Sequence, residues 1–320
     1  MLFQRRFSQF QLIIIMISAA CFSILYSLSK GSTPASLYQL FFDQNEQIQA
    51  ILFNLRLPRT LTAFVSGALL ALAGALMQLL LQNPLADPYV LGISGGAALF
   101  TLILMLLGAS SIILLGGAWL GSLLSILLIL FFARKHRFEP HALLLCGIAL
   151  ACGFSAGISF LLLISPDANL RSMLFWLAGD LNDARYPWDG LIILFLGFCF
   201  CLILAPGFNI LSRGINEARA LGLSTSTYRV IIYFLSALFT ASAVTMVGSV
   251  GFIGLLIPHL SRILMGCDHR ISLPITALLG GMILTIADTF ARTLFAPQQL
   301  PVGILLALIG VPIFLWRLSV

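Results

Sequence analysis

The sequence predicts an all-α, polytopic membrane protein of about ten transmembrane helices, forming a single domain over residues 1–320. Three observations carry this. Of 320 residues, 60% are apolar and 9% are charged, against roughly 25% charged in soluble domains. The mean hydropathy is +1.07, more apolar sequence than a soluble core absorbs. Apolar runs of about 20 residues, the length of a span, follow one another with short polar joints, and no stretch is long and polar enough for a separate soluble domain. Backbone in a bilayer must satisfy its own hydrogen bonds, so such runs are helices.

Taken in order, the spans are 10–29, 58–81, 91–108, 112–133, 142–164, 188–206, 228–247, 250–266, 272–294 and 301–318. Arg5 and Arg6 precede the first. A retained span is favoured there over a cleaved signal peptide, because the run is long and lacks a clear small-residue cleavage site. The second span starts at Arg56-Leu57-Pro58-Arg59 and ends at Asn83-Pro84-Leu85-Ala86-Asp87-Pro88. Within it Ala63, Gly67, Ala71 and Ala75 recur every fourth residue, lining one helix face so that another helix approaches closely. Packing within the chain is the favoured role of that stripe, which leaves other faces, such as that of Gln78, for a route. The eighth and tenth spans are short and carry proline, the signature of tilted or broken helices.

An even number of spans puts both termini on one side. With that side cytoplasmic, Arg5, Arg6, Arg134, Lys135, Arg137, Arg213, Arg219, Arg229, Arg270 and Arg317 lie inside, against Lys30, Arg56, Arg59, Arg171, Arg185 and Arg292 outside. Basic residues in short loops set topology, and the 134–137 cluster weighs most. The net charge of +6 is spread over loops in this way and forms no basic stripe for nucleic acid. Trp188 falls at a span end, where its ring suits the interface. The outside stretch 165–187 is a candidate for a short surface helix.

Residues 56–133 and 228–318 each hold a long span followed by a Gly/Pro-rich turn: Asn83-Pro84-Leu85 through Gly92, Gly95 and Gly96, and then Gly248, Gly251, Gly254 and Pro258-His259. The first turn falls inside and the second outside, so an inverted repeat is expected, and paired broken helices in such repeats flank transport routes.

The chemistry is sparse. No P-loop is present, and Lys30 and Lys135, the only lysines, lack its context. Of eleven acidic residues, Asp288 alone falls within an apolar run, where a local ion pair with Arg292, one turn on, is expected over a proton relay. The six cysteines form no C-x-x-C pair and read as free thiols. The four histidines lack metal-ligand spacing, and no nucleophile–base constellation appears, so an enzyme is the least favoured class. Transport is therefore passive or energised by another subunit. An ion-coupled secondary transporter or channel, or a non-transporting scaffold, are the competing classes. In the loop 207–227, Glu217, Ala218, Arg219, Ala220 and Leu221 favour a short helix that Gly222 stops, a candidate docking knob for a soluble partner.

Seven pieces in register resemble the FecCD-type permeases of bacterial ABC importers. They are R-L-P-R at 56–59, A-L-A-G-A-L-M-Q at 71–78, N-P-L-A-D-P at 83–88, L-G-x-x-x-G at 91–96, A-R-A-L-G at 218–222, G-F-I-G-L-L-I-P-H at 251–259 and L-P-V-G at 300–303. The resemblance implies a multi-pass permease of the inner membrane, moving a ferric siderophore, haem or cobalamin inward by alternating access. It implies pairing with a second permease copy, a cytoplasmic ABC ATPase dimer that holds ATP and Mg, and a periplasmic substrate-binding protein; no cofactor is expected on this chain. By the same resemblance, Arg56, Arg59 and Arg292 receive carboxylates of the binding protein, which guanidinium pairs bidentately. The ATPase docks on Asn216, Glu217, Ala218, Arg219, Ala220, Leu221 and Gly222. Gln78, Asn83, Pro84, Leu85, Pro140 and His141 belong to the route and its inner gate. Two positions depart from the family pattern: Ile215 stands where an acidic residue often follows the docking-loop glycine, and Gln299 where Glu commonly precedes L-P-V-G.

Overall fold

A computed structural model describes residues 9–31, 46–136, 138–296 and 298–318; Arg5, Arg6 and Arg137 lie outside them. Thirteen α-helices are formed by the described residues: α1 (Gln9–Ser29), α2 (Glu46–Ile51), α3 (Leu57–Leu81), α4 (Ile93–Leu106), α5 (Ser111–Ala133), α6 (Pro140–Ile164), α7 (Asp167–Leu177), α8 (Trp188–Leu211), α9 (Ile215–Ala220), α10 (Thr225–Val247), α11 (Ile253–Met265), α12 (His269–Thr293) and α13 (Val302–Leu318). Seven helical segments are long and apolar enough to cross a membrane, and three shorter apolar helices correspond to α4, α11 and α13. The ten expected spans are thus all helical. The third proves short as well as the eighth and tenth, because the 83–92 turn takes up its first residues.

α3 is the centre. Its segment is 89% buried, followed by α10 at 72% and α12 at 61%. The small-residue stripe explains the close approach: Ala63 and Ala71 are fully buried, and a methyl group at Gly67 would collide with the carbonyl of Gly280 on α12. The stripe packs within the chain, as its spacing favoured. Ser236 of α10 donates to the Ala73 carbonyl at 3.0 Å. Around this core, α1, α5, α6 and α8 expose much of their apolar surface, and α6 is only 17% buried.

α2 runs into α3 through a π-helical turn, Leu52–Arg56, so the second span has a helical lead-in that the sequence pattern did not disclose. The 207–227 loop is shorter than expected. Pro206 sits inside α8, which continues to Leu211, and α10 already starts at Thr225. Proline removes one backbone donor and kinks a helix; here the helix carries on past it.

Two ends of the molecule are defined by α3. At its Arg59 end lie the last turns of α1 and α12, joined through Arg292 and Ser27, and the start of α13, where Val302 N–H donates to the Gly179 carbonyl at 3.0 Å. At its Leu81 end lie the close of α8, whose Leu211 carbonyl accepts from Gln82, and α9. α1 therefore starts, and α13 finishes, at the Leu81 end, as an even number of passages requires.

The expected repeat is visible in this frame. α3, a break, short α4 and long α5 run in the opposite sense to α10, a break, short α11 and long α12. Both short helices start on a left-handed residue, Gly92 (φ 69°) and Phe252 (φ 70°), and the two breaks meet between them.

Candidate functional site

The π turn places Arg56 inward, where it is 4% exposed and donates to the Leu28 carbonyl of α1 at 2.9 Å. Gly31 makes room for it: a Cβ there would meet the guanidinium at 2.7 Å. One turn on, Arg59 turns toward α12 and grips Asp288. Its Nε donates to both carboxylate oxygens at 3.0 and 3.1 Å, and Nη2 to one of them at 2.8 Å. Nη1 donates to Asn182 at 2.9 Å and Gln299 at 2.8 Å. Asp288 is 1% exposed. The expected partner Arg292 stands 3.8 Å from it and donates instead to the Ser27 carbonyl at 2.6 Å and hydroxyl at 2.7 Å. Arg56, Arg59 and Arg292 thus converge on one recess of about 470 Å³ whose other walls include Gly31, Asn182, Ala184 and Gln299. Arg59, at 12% side-chain exposure, is the most accessible of the three. Asp180, on the adjoining loop, has its carboxyl pushed up by burial against the pull of its hydrogen bonds and of Arg59.

At the other end, Asn83, Leu85, Pro140 and His141 come together around a recess of about 220 Å³ with Leu81, Ala86 and Leu144. Pro84 is exposed beside them. The Asn83 side chain shapes the turn by accepting from Leu85 N–H at 2.9 Å. Asn83 and His141, 58 positions apart, were paired by resemblance alone; the fold joins them.

Gln78 lies deeper and is 4% exposed. Its Nε2 donates to the Leu255 carbonyl at 3.0 Å and more weakly to Ala86 and Gly254. Its Oε1 accepts from Arg262. Arg262 lies on α11, within an apolar run, and an arginine in such a run is a candidate functional residue in its own right.

α9 stands at the same end as the second recess. Asn216, Glu217, Arg219, Ala220, Leu221 and Gly222 are exposed and Ala218 is buried. The helix covers Ile215–Ala220, one residue short of the expected stop. Gly222 in the left-handed region (φ 80°) lets Leu223 N–H reach back to the Ala218 carbonyl at 2.9 Å, closing the turn. Leu221 is left 61% exposed at the tip.

One further surface was not visible in the sequence. The mid-section of α6 exposes Ala149, Cys152, Gly153, Ser155, Ala156 and Ser159, bounded by the exposed Ile148 and Phe160, whereas the exposed mid-section of α8 is large throughout: Ile192, Phe195, Leu196, Phe200 and Ile203. Large apolar side chains suit lipid; small and hydroxyl-bearing ones suit a second helix or a wet path. Among the described residues, no group of three metal-ligating side chains occurs.

Similarity to known proteins extends over nearly the whole chain. The family model described as the FecCD transport family matches residues 13–319. The hemin transport system permease protein HmuU of Yersinia pestis is 40% identical over 309 residues, covering 92% of each chain. The Fe(3+) dicitrate transport system permease protein FecC of Escherichia coli is 38% identical over 275 residues, covering 84% of this chain and 82% of that one. A solved structure of a metal-chelate-type ABC transporter in an inward-facing conformation superposes with a TM-score of 0.86 at 32% identity, over 95% of this chain and 97% of that one. This chain belongs to the FecCD transport family and is an ABC importer permease, a multi-pass inner-membrane protein.

Proposed function

We propose that this permease carries a ferric siderophore, haem or cobalamin from periplasm to cytoplasm by alternating access, driven by ATP and Mg on a separate ATPase dimer. The observation that carries the reading is the separation of two exposed sites to opposite ends of one buried helix. The arginine recess lies at the start of α3, and the Asn83–His141 recess lies at its close beside α9. The recess end faces the periplasm, where Arg59 receives a carboxylate of the binding protein; Arg56 and Arg292, bound to α1, hold the site together. The α9 end faces the cytoplasm together with Arg134, Lys135, Arg213 and Arg270 and both chain termini, in keeping with the bias of basic residues toward that side. Leu221 enters the ATPase surface. The small-residue face of α6 meets a second permease copy and lines the path between them. Nothing reacts covalently.

The test is reconstitution of the permease with its ATPase and binding protein in liposomes, with uptake of each candidate compound measured. ATP-dependent uptake of one of them is expected; uptake without nucleotide would point to a secondary transporter. Changing Leu221 to Asp should cut uptake at least tenfold while the permease keeps its stability, since that side chain is solvent-facing; Gly222 is left in place because its left-handed backbone closes the turn. Arg59→Glu should weaken binding-protein docking at least tenfold, and added salt should weaken docking of the parent. Docking that is indifferent to both removes Arg59 from that role.

A further inference from the structure

The two helix breaks are built into one another. In the first, Asp87 accepts from Tyr89 N–H at 2.8 Å and so sets the short turn Pro88–Leu91, which projects the Tyr89 ring toward the second break. There Val250 N–H donates to the Tyr89 hydroxyl at 2.9 Å. Val250 is fully buried and lies outside any helix. Such a backbone donor at membrane depth needs an internal acceptor, and the first break supplies it. Gln78 adds a second tie, reaching Ala86 on one side and Gly254 and Leu255 on the other. Steric fit is tight: a Cβ at Gly254 would meet the Pro88 ring at 2.6 Å.

Each break is also fastened to a different end of the molecule. The first continues from Asn83 and Leu85 at the second recess. The second follows Val247, whose carbonyl accepts from Asp180 N–H at 3.0 Å, two residues from the Asn182 that Arg59 holds. We infer that Tyr89 is a positioning residue that interlocks the two breaks, so that a shift at the arginine recess moves the Asn83–His141 recess in concert. The inference rests on the transport reading above and adds to it the part that joins the ends. Neither break can slide without leaving a buried polar group unpaired in the other.

The test uses the full transporter in liposomes, comparing the parent with Tyr89→Phe, which keeps the ring and removes the acceptor for Val250. The readouts are ATP hydrolysed and substrate taken up. ATP hydrolysis stimulated by binding protein is expected to stay within about twofold of the parent, while uptake per ATP falls about tenfold. Val250→Pro, which removes the donor of the same bond from the other break at a position outside any helix, is the second variant. It is expected to show the same split and decides the matter alone if Tyr89→Phe does not assemble. Parental uptake per ATP in an assembled variant overturns the interlock. A parent complex with no ATP-driven uptake overturns instead the transport reading beneath it.

Discussion

The two ends of α3 are both organised by a buried polar hub, and they are built on opposite principles. At the Arg59 end the hub is a charge: Asp288, nearly inaccessible, beside two guanidiniums, Arg59 of α3 and Arg292 of α12. At the Leu81 end the hub is a neutral amide: Gln78, which binds three backbone carbonyls and one guanidinium. A charged hub is rigid and hard to take apart, because separating buried ions exposes each to an apolar surround. An amide hub is exchangeable, because each of its bonds is modest and another carbonyl can stand in. The difference teaches where motion is cheap. The arginine recess is held in shape by charge, and the Gln78 hub by bonds that can be traded.

The largest effect should come from Asp288→Asn. It leaves Arg59 and Arg292 without their carboxylate and is expected to destabilise the permease by about 3–5 kcal/mol, the cost of breaking a buried ion pair from one side. Denaturant stability of the detergent-purified permease measures it; a loss under about 1 kcal/mol would show that the end is not organised by charge. Gln78→Leu breaks the other hub. With no carboxylate stranded, the expected loss is about 1–3 kcal/mol, smaller than for Asp288→Asn under the same conditions. If the order is reversed, the contrast between a rigid and an exchangeable end is wrong.

Much of this was legible in the chain, for identifiable reasons. Spans follow from apolar runs, so the helices came close to their true bounds, and the Gly/Pro breaks marked the inverted repeat because those residues punctuate any helix. Asp288 drew attention as the one acid in an apolar run, yet its main partner is Arg59, 229 residues away, rather than Arg292 one turn along. Local spacing reveals local pairs and is silent on those that folding creates. Pro206-Gly207 read as a helix end, but packing carried α8 on to Leu211. The exposed small face of α6 was hidden for a similar reason. Small residues in an apolar run look alike whether they face a neighbour or the outside, and only the fold distinguishes them.

The smallest expected effect lies at the Leu81 end but outside its hub, and it separates a fragile element from a fragile end. Asp268 caps α12 by accepting from Arg270 N–H at 2.9 Å and also accepts from Asn209 at 2.7 Å. Those bonds hold its carboxyl below the usual range. A lowered folded-state value means that the stabilisation is full above the ordinary carboxylate pKa of about 4 and is lost as pH falls through the lower folded value. Asp268→Ala should cost about 1 kcal/mol, as cap removal does, with Asp268→Asn costing less because an amide oxygen still caps. The penalty of the alanine variant should shrink once the parent's carboxyl is itself protonated. If it persists undiminished in acid, the carboxylate charge contributes nothing and the cap acts through packing alone. A loss as large as that of Gln78→Leu would mean that this whole end is loosely held, and that Gln78 is no more a hub than its surroundings.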